Sequence, residues 1–128
     1  MRPTLRVAIM LTRLLGVVQI VLGIVLWIGV ARSTVPLHAA LGSLLVLVIW
    51  IIAVIALFAL PQRGLALFTL VWGAIVLWLG MAQTRLVVGS GHWVIRVAHL
   101  VIGLAALGLA ESLASATRRH WDALHPKT

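Results

Sequence analysis

Two histidines within long apolar segments are the residues of this 128-residue chain that are best suited to chemistry. His38 and His99 each precede a glycine by four positions, which gives the pattern His-x-x-x-Gly twice, ending at Gly42 and at Gly103. A ligating side chain inside a membrane helix is costly and usually faces the bundle interior or a pathway. We therefore expect both imidazoles to have a partner inside the protein.

Haem iron is the partner that two such imidazoles fit best. The iron takes axial nitrogens from opposite sides, and the macrocycle fills the space between the helices that carry them. Position i+4 lies on the same helix face one turn further along, so Gly42 and Gly103 leave room beside each ligand. The chain has no cysteine, which excludes thioether attachment. The pattern predicts one haem b, with His38 and His99 as the metal ligands.

Three arginines and a further histidine lie on the side of the membrane nearest these ligands. Arg96 precedes His99 by three residues, on the same face and one turn further out, where a haem propionate would project. Arg32 and Arg85 lie at the same surface and would neutralise propionates or serve as ordinary interfacial arginines. His92 lies two turns outward, where it would bond a propionate, replace His99 as ligand, or begin the helix as a polar residue.

Composition identifies the elements that position these residues. Hydrophobic residues make up 63% of the chain and charged residues 9%, whereas soluble domains are about half apolar and a quarter charged. A membrane-crossing helix uses about 20 apolar residues, so the length allows four or five crossings. We expect one integral membrane domain with helices at about 7–31, 35–60, 65–84 and 92–116, and a polar tail too short to fold alone.

An internal repeat sets the arrangement of the helices. The segment Ile24–Gly29 recurs as Ile75–Gly80, and each copy is followed by a helix that carries His-x-x-x-Gly. The fold class predicted is all-α, an antiparallel bundle of four transmembrane helices built from two repeated helical hairpins. Helices 2 and 4 then run parallel at diagonal corners, so their histidines face each other across the bundle.

The charge of +8 indicates topology and not nucleic-acid binding, because the cations lie between apolar runs. Seven cations fall on the side of the chain termini and three on the other side. The positive-inside rule therefore predicts both termini in the cytoplasm of a bacterium, with the haem near the outer face of the cytoplasmic membrane. The seven are Arg2, Arg6, Arg13, Arg63, Arg118, Arg119 and Lys127; the three are Arg32, Arg85 and Arg96.

A few other polar residues lie within the apolar segments. Glu111 and Arg13 fall near the inner ends of neighbouring helices, which predicts a structural ion pair, or alternatively a proton acceptor for quinol. Gln19 is expected to make an interhelical hydrogen bond. Met81 is a weaker candidate for an axial thioether ligand. Glycines at seven-residue spacing on helices 1 and 3 predict close helix packing; they are Gly16, Gly23, Gly73 and Gly80.

With its helix count and the His38/Gly42 and His99/Gly103 pattern, the chain resembles the small four-helix membrane b-type cytochromes. These include cytochrome b561-like proteins and the haem-bearing anchors of respiratory dehydrogenases. The resemblance implies bis-histidine haem b and electron exchange with quinone. Many of those proteins carry four histidines and two haems, whereas this chain has no comparable pair near the inner side, so we expect one haem.

These observations favour a non-catalytic electron-transfer subunit of an oxidoreductase complex. The electron would pass to quinone or to another membrane subunit, and self-association within the lipid bilayer is an option. The alternative is a cofactor-free accessory subunit that stabilises a larger membrane complex. A small transporter is less favoured, because the first helix carries no embedded carboxylate and the chain has no asparagine.

Overall fold

Four long α-helices make up most of the structure, a computed structural model that describes residues 2–83, 85–87 and 89–125, with the Arg2 side chain left out. Within these ranges no strand occurs. Each helix is long and apolar enough to cross a membrane, so the protein is a multi-pass membrane protein of the predicted all-α class. The helices are α1 Arg2–Trp27, α2 Val35–Ala59, α3 Gly64–Ala82 and α4 His92–Leu124.

The first hairpin is bounded by residues that stop helices. α1 ends at Trp27, four residues before the predicted end, because Gly29 adopts a left-handed φ of +79° and its N–H bonds back to the carbonyl of Leu26. Pro36 lies in the first turn of α2, where its missing N–H costs nothing. α2 ends before Pro61, and Leu60 is extended, as the residue before a proline prefers.

α4 is the longest helix and differs most from the predicted boundaries. It continues to Leu124, and its 33 residues span about 50 Å at a rise of about 1.5 Å per residue. A hydrocarbon layer of about 30 Å cannot contain that length. The predicted helix end at about residue 116 was wrong: the polar tail does not fold alone but extends α4, because residues added to an existing helix need no new nucleus. The predicted end of helix 3, Thr84, lies outside the described residues, as does Lys127.

The two histidine-bearing helices form the short diagonal of the bundle. α1 and α3 each pack against both α2 and α4, and α2 and α4 also pack directly against each other. In the part of the chain that the structure describes, α1 and α3 do not pack together. The second helices of the two hairpins, α2 and α4, are therefore in contact across this diagonal. These are the helices that carry His38 and His99.

Burial divides the bundle into two halves. The terminal half holds the ends of α1 and α4 nearest the chain termini and the α2–α3 connection, and it contains the apolar core. The other half, here the histidine half, has no fully buried residue within 17–27 of α1, 35–45 of α2 or 92–105 of α4. The core residues are Ala8, Leu15, Val48, Ile49, Ile52, Ala53, Ala56, Ala66, Ala106, Ala110, Leu113 and Ala114.

Two tryptophans fasten α3 to its neighbours. The indole Nε1 of Trp50 donates to the carbonyl of Leu70, and that of Trp72 donates to the carbonyl of Ile102, both at 3.0 Å. A buried indole N–H needs such a partner. Gly73 gives Trp50 its space, since a Cβ there would collide with the indole nitrogen.

Candidate functional site

The structure brings the two intramembrane histidines together, as the sequence predicts. His38 lies in the first turn of α2, and His99 lies two turns into α4. Their ring centroids are 6.3 Å apart, and the ring planes form an angle of 64°. Both side chains are half-buried in the bundle.

Each imidazole has a buried nitrogen that lacks a hydrogen-bond partner. Within the described residues, no donor or acceptor pairs with Nδ1 of His38 or Nδ1 of His99. Burying a polar atom unpaired costs free energy, and most buried polar atoms in proteins are satisfied. Two such atoms on facing rings make this pair the candidate site for a metal or a hydrogen-bonding ligand.

Two glycines from the flanking helices lie against the rings. A Cβ at Gly23 of α1 would lie 3.8 Å from Cε1 of His38, and a Cβ at Gly80 of α3 would lie 3.4 Å from Cε1 of His99. From the sequence we expected these glycines only to bring helices close together. Their spacing indicated small residues on α1 and α3 but not which side chains they would face.

The glycines of the His-x-x-x-Gly pattern have different surroundings from each other. A Cβ at Gly42 would lie 2.9 Å from Nε2 of Gln19, so this glycine accommodates an amide side chain. A Cβ at Gly103 would meet no atom within 4 Å, so one turn from His99 the face of α4 is open. The contact of both glycines with a cofactor stays a prediction.

Gln19 ties α1 to the helix that carries His38. Its Nε2 donates to the backbone carbonyl of His38 over 2.7 Å, which confirms the expected interhelical hydrogen bond. Its Oε1 is buried, and no described residue donates to it. Gln19 lies one turn from Gly23 on the same face of α1. The side chain therefore holds α2 in register with α1 at the level of the imidazole.

The other predicted site residues lie at the open end of the histidine half. His92 begins α4, with Nδ1 3.3 Å from the carbonyl oxygen of Leu86, so its ring contacts the α3–α4 connection. Arg32, Arg85 and Arg96 are exposed. Met81 is 75% exposed, which does not fit a ligand of a metal held between the histidines.

Within the described ranges, no cluster of three or more His, Cys, Asp or Glu side chains is arranged to hold a metal ion. A structural zinc site needs four such ligands. A haem needs only one or two axial ligands from the protein, because the porphyrin supplies the remaining nitrogens. Among metal cofactors, the donor set of two imidazoles therefore fits haem.

A second polar feature lies in the terminal half. Arg13 of α1 donates to Glu111 of α4 through two nitrogens, with Nε to Oε1 at 2.6 Å and the second contact at 3.0 Å. The predicted ion pair is thus confirmed, and its geometry is the bidentate one that guanidinium and carboxylate prefer.

Comparisons with known proteins make no assignment, because no family model, curated protein or solved structure matches the chain. The function is therefore argued from the facing histidines and their surroundings.

Proposed function

We propose that this protein is a b-type cytochrome that transfers electrons through a single haem b bound by His38 and His99. The observation that supports this most strongly is the pair of facing intramembrane imidazoles, each with a buried and unpartnered Nδ1. Histidines within membrane helices are rare and usually functional.

The distance between the rings agrees with a shared metal. Two metal–nitrogen bonds of about 2 Å, plus about 1 Å from each nitrogen to its ring centre, put the centroids about 6 Å apart. The observed separation of 6.3 Å is close to this value, and it also falls within the range of about 4.5–7 Å found for edge-to-face ring packing.

The histidine half has the small residues that a large planar cofactor needs. Gly23 and Gly80 lie beside the rings, and Gly103 presents an open face one turn from His99. The connected apolar core lies mainly in the terminal half, although Leu79 of α3 is buried beside Gly80 in the histidine half. This division supports a cofactor that packs between α2 and α4 in the histidine half, because glycine in a helix interior is otherwise unfavourable by about 1 kcal/mol relative to alanine.

Haem iron supplies one-electron oxidation and reduction, and the chain's own residues hold and tune it. His38 and His99 bind the iron as neutral imidazoles, and Gln19 keeps His38 in position. Arg32, Arg85 and Arg96 are exposed and would be the donors to the haem propionates. The chain acts as a non-catalytic electron-transfer subunit.

The charge distribution supports a location in a bacterial cytoplasmic membrane with both termini inside and the haem near the outer face. The described residues hold no second pair of facing histidines. The electron therefore passes to quinone, to another membrane redox subunit or to a second copy of the chain.

The test is a reduced-minus-oxidised absorption spectrum of the purified full-length protein. We expect a b-type spectrum that is lost in His38→Ala and in His99→Ala and is kept in the matched variant His92→Ala. A colourless protein from haem-sufficient cells would refute the proposal and favour the cofactor-free accessory subunit. Haem kept in His99→Ala but lost in His92→Ala would show that the ligand assignment is wrong by two turns.

A further inference from the structure

A cleft of about 80 Å³ opens between α1 and α4 in the terminal half of the bundle. It is remote from the histidines: Glu111 follows His99 by 12 residues, which is about 18 Å along α4 at about 1.5 Å per residue. Its polar wall consists of Arg6, Arg13, Glu111, Arg118, Trp121 and Asp122.

The charges on this wall include one more guanidinium group than carboxylates. Arg13 and Glu111 satisfy each other in the bidentate ion pair, and Asp122 is engaged in an interaction of its own. Arg6 and Arg118 are exposed, and neither makes a hydrogen bond or an ion pair with the residues that the structure describes. Arg118 also interacts electrostatically with Glu111. The wall carries three arginines, Arg6, Arg13 and Arg118, against the carboxylates of Glu111 and Asp122, so an anion that enters the cleft meets an excess of positive charge.

The floor of the cleft is apolar, formed by Leu5, Ile9 and Ile55. A ligand that fits both surfaces has an anionic head and a hydrocarbon portion. Guanidinium groups match phosphate oxygens in geometry and charge. Basic pockets between transmembrane helices on the cytoplasmic side are typical sites for anionic lipid headgroups. Trp121 at the rim is a residue type that favours the headgroup level.

We propose that this cleft binds an anionic glycerophospholipid, with its phosphodiester between Arg6 and Arg118 and the start of an acyl chain against Leu5, Ile9 and Ile55. The site does not depend on the haem. Its failure would leave the electron-transfer proposal intact, and failure of that proposal would leave the lipid site intact.

The experiment is native mass spectrometry of the full chain in detergent, titrated with dioleoyl-phosphatidylglycerol or with dioleoyl-phosphatidylcholine. We expect the wild type to prefer phosphatidylglycerol. Each arginine replaced should weaken binding about fivefold, so Arg6→Gln/Arg118→Gln should lose about 25-fold. The matched control Arg63→Gln/Arg119→Gln removes the same charge from exposed positions outside the cleft and should bind as the wild type does.

Equal binding of both lipids to the wild type, or equal losses in the two double variants, would overturn the proposal. Glycerol phosphate distinguishes a lipid site from a free-phosphate site: it should fail to displace the lipid, and displacement at equal concentration would contradict the lipid assignment. If Arg6→Gln/Arg118→Gln loses helicity by circular dichroism, Arg6→Lys/Arg118→Lys replaces it. That variant should retain the preference for phosphatidylglycerol, and loss of the preference in a fully helical variant would count against the site.

Discussion

Gly73 offers the most quantitative test of how α2 and α3 pack. A Cβ at this position would collide with Nε1 of Trp50 and would lie 3.1 Å from Cδ1 of the same ring and 3.2 Å from Cγ1 of Val46. The ring cannot simply swing away, because its N–H is bonded to the carbonyl of Leu70. The change Gly73→Ala must therefore shift Trp50 or separate the two helices.

The size of the effect follows from three contributions. Overpacking of this kind costs about 1–3 kcal/mol. Loss of the interhelical hydrogen bond adds about 0.6 kcal/mol in a membrane protein. Alanine in place of a helix-interior glycine stabilises the helix by about 0.5–1 kcal/mol, which offsets part of this loss. The expected net loss of unfolding free energy is about 1–3 kcal/mol, with the steric contribution dominant.

The matched control is Gly108→Ala, also within a helix, where a Cβ would meet no atom within 4 Å. That variant should equal or exceed the wild type in stability by up to about 1 kcal/mol. The assay is reversible unfolding in mixed micelles with increasing dodecyl sulfate, followed by circular dichroism. Trp50→Phe should relieve part of the Gly73→Ala loss, because it removes the colliding nitrogen. Equal stabilities of Gly73→Ala and Gly108→Ala would refute the packing described for α2 and α3.

The remaining predictions concern the polar residues. Gln19→Leu should leave the unfolding free energy unchanged or higher, because the hydrogen bond it removes contributes about 0.6 kcal/mol, whereas the unpartnered Oε1 it also removes costs about 1–3 kcal/mol; a clear loss in the micelle unfolding assay would contradict this. Arg13→Gln and Glu111→Gln should each lower the thermal midpoint in detergent only slightly, because both side chains are exposed and exposed ion pairs contribute about 0–1 kcal/mol; a large loss in either variant would contradict this. Arg96→Gln should lower the midpoint potential of the haem in a potentiometric titration, because a positive charge near the propionates favours the reduced form, and an unchanged potential would place Arg96 away from the cofactor.

Hydrophobic patterning was sufficient to predict the fold class and the diagonal histidine pair. Four long apolar runs specify four crossings, and the repeated His-x-x-x-Gly puts His38 and His99 on parallel helices. The Arg13–Glu111 pair followed from the same bundle order. These features depend only on the number of helices and on the positions of residues along them, and both can be predicted from a single sequence.

Which residues surround the imidazole rings depends on how the helices are rotated and tilted. The spacing of residues in the sequence does not determine this. That Gly42 lies beside a cofactor stays a prediction; spacing did not indicate that Gln19 lies against Gly42 or that Gly23 and Gly80 face the imidazoles. The two copies of the sequence repeat also end in different conformations. Gly29 closes α1 at a left-handed φ, while its counterpart Gly80 lies inside α3.

The helix ends show a similar limit. The α1 terminus was predicted from the last apolar residue, yet Gly29 stops the helix earlier. The fourth helix was predicted to end at about residue 116, yet the polar stretch that follows extends α4 to Leu124. Apolar runs indicate which residues lie in the hydrocarbon layer. A helix can extend beyond its apolar run, as α4 does, or end before it, as α1 does, according to local backbone preferences.

Electron paramagnetic resonance of the oxidised, haem-loaded protein is the most direct test of the central claim, because the signal of ferric iron reports its axial ligands. Two imidazoles on one iron predict a purely low-spin signal in the wild type and in His92→Ala, and a high-spin signal or loss of haem in His38→Ala and in His99→Ala. A high-spin wild type, or a low-spin signal that survives either of those two substitutions, would contradict the proposal that His38 and His99 hold the same iron.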